Sequence, residues 1–296
     1  MKRAAVILAT LLLAASAAAD DGKPPSSRSH NTGLAVFANA NAYWASDITA
    51  NFYSGTPTTT DNVDGIYLIL RSNTYGKEIE NDLKTNHLID GSVNTDNFHV
   101  SEFANMTYRL SYQIGVGIRY DYANGFGWLL RFDLAKLRAQ GKWNLDNGFN
   151  QLGRDRYVTC GIVGIEDRIN IDLAVTRTVA LTDVLDFELN IGASLINTKV
   201  KDNIIEINGH TYSILDRWNG QTPDMGVGTY EYINQGGVGY GFFATALLGY
   251  QVYGIGAIKV GYTCAQSKIV LQNYTAWGWQ HTLGIRIEMN NFSFIQ

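Results

Sequence analysis

Cysteine, proline, histidine and charge are all scarce in this 296-residue chain. Two cysteines are too few for a disulfide-stapled scaffold or a cysteine-rich zinc module. Cys160 and Cys264 fall on strands that are not neighbours, so no disulfide is expected between them. Charged residues are 17% of the chain and leave a net charge of −4, a mildly acidic balance that argues against a nucleic-acid partner. HExxH spacing and phosphate-binding loops are missing, so neither a metal nor a cofactor is expected. Beyond the N-terminus no apolar run suits a membrane helix. The best competitor, 232–258, is uncharged, but its glycines, asparagine and glutamines read better as two strands and a turn near Val252-Tyr253-Gly254.

The chain does contain thirty glycines, seventeen tyrosines, twelve phenylalanines and six tryptophans, a set that suits closely packed β-structure. Residues 1–19 have a Lys2-Arg3 start, an apolar stretch from Ala4 to Ala15 and small residues at Ala17-Ala18-Ala19. They read as a cleaved secretory signal. Residues 20–32, with Pro, Ser and Gly, read as a flexible leader.

One pattern then recurs. In 108–122, Tyr108, Leu110, Tyr112, Ile114, Val116, Ile118, Tyr120 and Tyr122 share one parity, while Arg109, Gln113, Arg119 and Asp121 share the other. A period of two marks a strand with one apolar face. Aromatics at both ends of that face and aliphatics between them are the profile of a strand crossing a bilayer. The alternation repeats in 126–136, 165–177, 187–198, 238–252, 255–268 and 277–289, and more weakly in 33–46. Eight strands result. Short connections at Ala123-Asn124-Gly125, Leu181 to Val184 and Val252 to Gly254 alternate with longer ones at 47–104, 143–155 and 199–236, followed by a modest 273–276. Short turns on one side and long loops on the other are what an up-and-down barrel in an outer membrane needs. A soluble sandwich or lipocalin-like barrel also alternates, but it turns its polar parity outward.

Together, the signal, the eight alternating strands and the loop asymmetry resemble the small eight-stranded outer-membrane barrels of Gram-negative bacteria, the class of the outer-membrane protein A transmembrane domain. The resemblance covers most of 33–294 and is architectural. It implies an all-β, up-and-down antiparallel transmembrane barrel in the cell outer membrane, in contact with outer-membrane lipid. One departure is the chain end, where Phe294 stands two residues before Gln296, although such barrels commonly finish on an aromatic.

The polar parity supplies Arg109, Arg119, Asp121, Arg131, Asp133, Arg168, Asp172, Glu188, Lys259, Arg286 and Glu288. Six bases and five acids in a narrow interior are expected to pair as a network that plugs the lumen, with a polar solute path as the alternative. Tyr108, Tyr112, Tyr120, Tyr122, Tyr250, Tyr262, Trp277 and Trp279 are expected as interface aromatics. Loop 47–104 is far above the usual loop length, and 64–83 has the composition of a short amphipathic helix. Loops 47–104 and 199–236 are the candidate surfaces for a protein partner. In 202–215, Asn208-Gly209 predicts an extracellular hairpin; if its arms crossed the membrane, the barrel would have ten strands. Of five histidines only His281 falls on a predicted strand, on the lipid-facing parity, with no serine two residues away. No catalytic residue is therefore assigned. Three readings follow: a non-enzymatic barrel acting through its loops in adhesion, docking or envelope integrity; a narrow transport barrel; and a lipid-modifying enzyme.

Overall fold

The computed structural model describes residues 33–55, 65–72, 75–89, 99–102, 104–146, 156–214, 236–252 and 256–289. The expected signal and leader, the chain end and residues 253–254 of the expected turn lie outside these residues. The strands are β1 (Gly33–Trp44), β2 (His99–Glu102), β3 (Thr107–Tyr108), β4 (Ser111–Asp121), β5 (Phe126–Asp146), β6 (Tyr157–Ala180), β7 (Leu185–Ile207), β8 (His210–Ser213), β9 (Gly237–Val252), β10 (Gly256–Leu271) and β11 (Tyr274–Met289).

Antiparallel pairing runs β1–β4–β5–β6–β7–β9–β10–β11 and returns to β1, which closes an eight-stranded barrel. Closure gives each of the eight strands a hydrogen-bonded neighbour on both sides, so the ring has no edge strand. β2 and β3 add to β5 and β8 adds to β7, all outside that circuit. The Asn208-Gly209 turn returns the chain as the short arm β8, so the hairpin does not add to the barrel. No helix among the described residues is long and apolar enough to cross a membrane.

Outward positions form an apolar belt. Val175, Ile191, Leu195, Phe242, Val260 and Ile285 are among the exposed large apolar residues. Tyr112, Tyr120, Tyr122, Tyr250, Tyr262, Trp277 and Trp279 are exposed with them. Tyr108 is not. Between β3 and β4, at Arg109-Leu110, the register against β5 shifts by one residue, from Tyr108 opposite Ala139 to Gln113 opposite Ala135, and the parity slips with it. Tyr108 therefore turns in against Arg168, and Arg109 turns out to solvent. These two expected placements are corrected by that shift.

Three strands are longer than the alternation predicts. β5, β6 and β7 hold 21, 24 and 23 residues. At about 3.3 Å per residue, β6 runs on the order of 80 Å along its axis. That is well beyond the about 30 Å of a hydrocarbon core, even when tilted. Residues 143–146 and 199–207, expected in loops, are strand. The reason is visible in the side chains. On β5 the outward residues change from Leu130, Phe132 and Leu134 to Lys136, Arg138 and Lys142, while Leu137, Ala139, Trp143 and Leu145 turn inward and are buried. On β7 the outward face changes from Ile191 and Leu195 to Asn197 and Lys199, and Ile196 and Val200 turn in. The apolar parity inverts while the strand continues, so the medium outside must change at that level.

Inside this tall β5–β6–β7 wall sits the main apolar core. Helical turns at Asp47–Ala50 and Asn51–Ser54 and helices Gly65–Leu70 and Tyr75–Thr85 deliver Tyr53, Ile66, Leu70, Ile79 and Leu83 against Trp143, Ile162 and Ile205. Gly164 makes this possible, since a Cβ there would overlap the Tyr53 ring. The hairpin joins the cap through Asn208 Nδ2 donating to Asp82 Oδ2 at 2.6 Å and an edge-on contact of Tyr75 with Tyr212.

Belt and extension should respond oppositely to charge on one strand face. In folding titrations into phospholipid vesicles, Ile191→Lys is expected to cost about 2–4 kcal/mol. Asn197→Lys, three outward positions higher, should stay within about 0.5 kcal/mol. Equal costs would remove the boundary between them.

Candidate functional site

The inward parity carries charge in three tiers. Nearest the short turns, Glu188 accepts from Arg119, Lys259 and Arg286, the last at 2.8 Å. Glu288 lies 2.9 Å from Lys259 and 3.1 Å from Arg119, and Asp121 lies 2.9 Å from Arg119. Three cations thus face three carboxylates, and Lys259, Glu188 and Glu288 are fully buried. Asp186, two residues before Glu188 on the same strand face, accepts from Gln251.

In the middle tier Arg131 holds Asp133 at 2.8 Å and Asp172 at 2.5 Å. Asp172 is its direct cross-strand partner, the placement in which opposite charges help a sheet. Asn39 donates to Asp133 at 2.9 Å. Gly115 faces that carboxylate, and a Cβ there would overlap it.

The upper tier couples barrel to cap. Arg168 Nε donates to Glu166 at 2.6 Å, and its other nitrogens donate to Tyr43 at 3.1 Å, Thr49 at 3.1 Å and Tyr108 at 3.3 Å. Tyr53 donates to Glu166 and Tyr43 to Gln280. One guanidinium therefore ties β1, the turn at Asp47–Ala50 and β3 to β6. Between the middle and upper tiers lies an interior cavity of about 30 Å3 lined by Tyr43, Arg131, Asn170, Asp172 and Gln280. A second, near Asn39, Thr245 and Arg286, is about 10 Å3. These volumes suit isolated waters.

The barrel thus brings ten of the eleven sequence-derived lumen residues together and sends Arg109 outside. It also adds Glu166, Asp186, Tyr43 and Gln280. Glu166 shares a parity with Arg168 inside the expected strand 165–177, and Asp186 shares one with Glu188 one residue before the expected strand 187–198, so the signal for both was present in the alternation. His281 stacks on Tyr262 and bonds its hydroxyl through Nδ1 at 2.6 Å. Both cysteines are free. Among the described residues of 65–83, Ile66, Ile69, Leu70, Ile79 and Leu83 all pack into the cap core.

Burial pushes the Tyr53 phenol well above its usual range, and the Glu166 carboxylate beside it adds to the effect. Tyr212 is pushed up to about 12, first by burial and then by Glu78 and Asp82.

No family model and no curated protein matches this chain. Among solved structures, Neisserial surface protein A matches at 10% identity and a TM-score of 0.39, over 88% of this chain and 98% of that one. Ail, the attachment invasion locus protein of Yersinia pestis, matches at 10% identity and 0.29, over 86% and 99%. Ail in complex with the heparin analogue sucrose octasulfate matches at 9% and 0.30, over 86% and 99%.

Glu188→Ala leaves three buried cations short of a partner and is expected to cost about 3–5 kcal/mol, read as a lowered urea midpoint. The cap should have its own alkaline limit. Tyr53 and Tyr212 are neutral when packed, whereas an unfolded tyrosine ionises near pH 10. Their contribution is complete below about pH 10 and is lost as pH rises through their folded values. Proteolysis of 47–106 should therefore accelerate above about pH 10. Tyr53→Phe should weaken the cap by about 1–3 kcal/mol, through the hydrogen bond lost at Glu166, and flatten that pH dependence.

Proposed function

We propose that the chain is a non-enzymatic outer-membrane barrel whose lumen is closed by its ion-pair network and whose activity resides in the loop-side face. The apolar belt and the inverted parity above it support the membrane placement. The observation that carries the function is the cap. A barrel needs no apolar core of 47–106 on a raised β5–β6–β7 wall to cross a bilayer. Such a core makes a rigid platform at the mouth, and recognition surfaces are commonly loops held by a rigid scaffold. Exposed Lys77, Glu78 and Asn81 on helix Tyr75–Thr85 lie on that platform. Adhesion, docking of a protein partner or a contribution to envelope integrity all use such a face.

A closed lumen also follows from the physics of the interior. Eight strands leave a space that side chains fill, and each charge removed from water must keep its partner. Two measurements test the reading. The purified full chain in planar bilayers should show no step conductance; a stable open level would favour solute transport. A host displaying the chain should gain attachment to cell monolayers or resistance to detergent. K77A/E78A/N81A should reduce that gain at least several-fold, with the barrel's heat-dependent gel mobility unchanged. Unaltered attachment and resistance in the triple variant would remove the platform from the function.

A further inference from the structure

The outer face of β5–β7 carries a band of cations just above the apolar belt. Lys136 on β5, Asp167 on β6 and Lys199 on β7 are direct partners in one cross-strand row. Arg138 lies one outward position above Lys136, and the Arg109 amide donates to its carbonyl, which sets two guanidinium-bearing residues side by side. Arg109, Lys136, Arg138, Lys199 and Lys201 are all exposed. Lys201 is the extra residue of a bulge, since Ile165 pairs with Asp202 and Glu166 with Val200. A bulge of this kind re-aims a side chain. Lys201 lies 3.2 Å from Asp167, and Asp202, aligned through Ile165 with Arg138, is the second acid of these rows. Arg109 and Arg138 repel across neighbouring segments, and five cations around the two carboxylates Asp167 and Asp202 leave an excess of positive charge that favours an external anion. The opposite arc differs, presenting Tyr240, Trp277 and Trp279 with Lys268 over the Tyr240 ring.

Position identifies the anion. Leu134 and Leu195 are the exposed apolar residues next below Lys136 and Lys199 on the same faces. The band therefore stands where acyl chains end and headgroups begin. It extends across four strands, about 14 Å at the usual spacing, wide enough for more than one phosphate. We propose that this face binds phosphate-bearing headgroups of the lipid leaflet on the loop side. This rests on the membrane reading above. Cations at a membrane surface add roughly equal increments of attraction to anionic lipid, so the site acts as a sum of its five side chains. It fixes the rotation and depth of the barrel and holds the cap at a set height.

The test uses the full chain in nanodiscs of neutral phosphatidylcholine. The discs are doped with a bis-phosphorylated lipid A or with the same lipid after removal of its phosphates, and protein-retained lipid is measured by native mass spectrometry. Wild type is expected to retain the phosphorylated lipid. The K136Q/R138Q/K199Q/K201Q variant should retain about tenfold less or lower still, and R71Q/R156Q, altered in the cap and at the tip of the β5–β6 hairpin, should match wild type. Heat-dependent gel mobility is recorded for every variant. If mobility is intact and wild type holds both lipids alike, or the fourfold variant matches wild type, the proposal fails and the membrane reading stands. If wild type shows no heat-dependent mobility, the membrane reading fails and the proposal with it.

Discussion

Glu188 stands where three cations from three different strands converge, in an interior from which water is largely excluded. A carboxylate so placed is stable only while Arg119, Lys259 and Arg286 surround it, and without it those cations lose their shared acceptor. Glu188 meets these cations only when β7 has come together with β4, β10 and β11, whereas Arg119 and Arg286 also face an acid of their own strand, Asp121 and Glu288. The network therefore adds less to net stability than it adds to uniqueness of register. A one-residue slip in any of these strands would send a buried charge to the outer face and an apolar side chain into the charge cluster.

Above the middle tier the same strands serve a different purpose. Where the outside turns from apolar to basic, the inside turns from charged to apolar, and the lumen becomes a hydrophobic cradle. The cap needs this inversion. Ile66, Leu70, Ile79 and Leu83 would be exposed on isolated short helices and are buried only because Trp143, Ile162 and Ile205 face them. Arg168 sits at the junction and bonds both halves. Barrel and cap thus share one buried interface at which the last lumen charge meets the first apolar layer.

This arrangement bears on function through rigidity. A loop of this length with no core of its own pays a large ordering cost when it binds a partner. Here the ordering is completed in folding, by burial of Tyr53 over Gly164 and by the tie of the hairpin to Asp82. The raised platform and the cationic band beneath it are two consequences of extending β5, β6 and β7 past the belt.

The period-two alternation of apolar residues determined the eight strands, their antiparallel up-and-down order and the parity of all but one of the expected lumen charges. Side-chain direction in a strand is a local property of the backbone, so it is legible one residue at a time. What the alternation could not determine was where the environment changes. The inversion on β5 after Leu134 reads as the end of a strand until its neighbours show it to be the same strand in a different medium. The slip at Arg109-Leu110 moved Tyr108 in and Arg109 out, because a shift of register leaves no trace in residue type. Which acid meets which base was decided only in three dimensions. Glu188 and its three cations are up to 98 residues apart, and closure of the barrel is what brings them within hydrogen-bond reach.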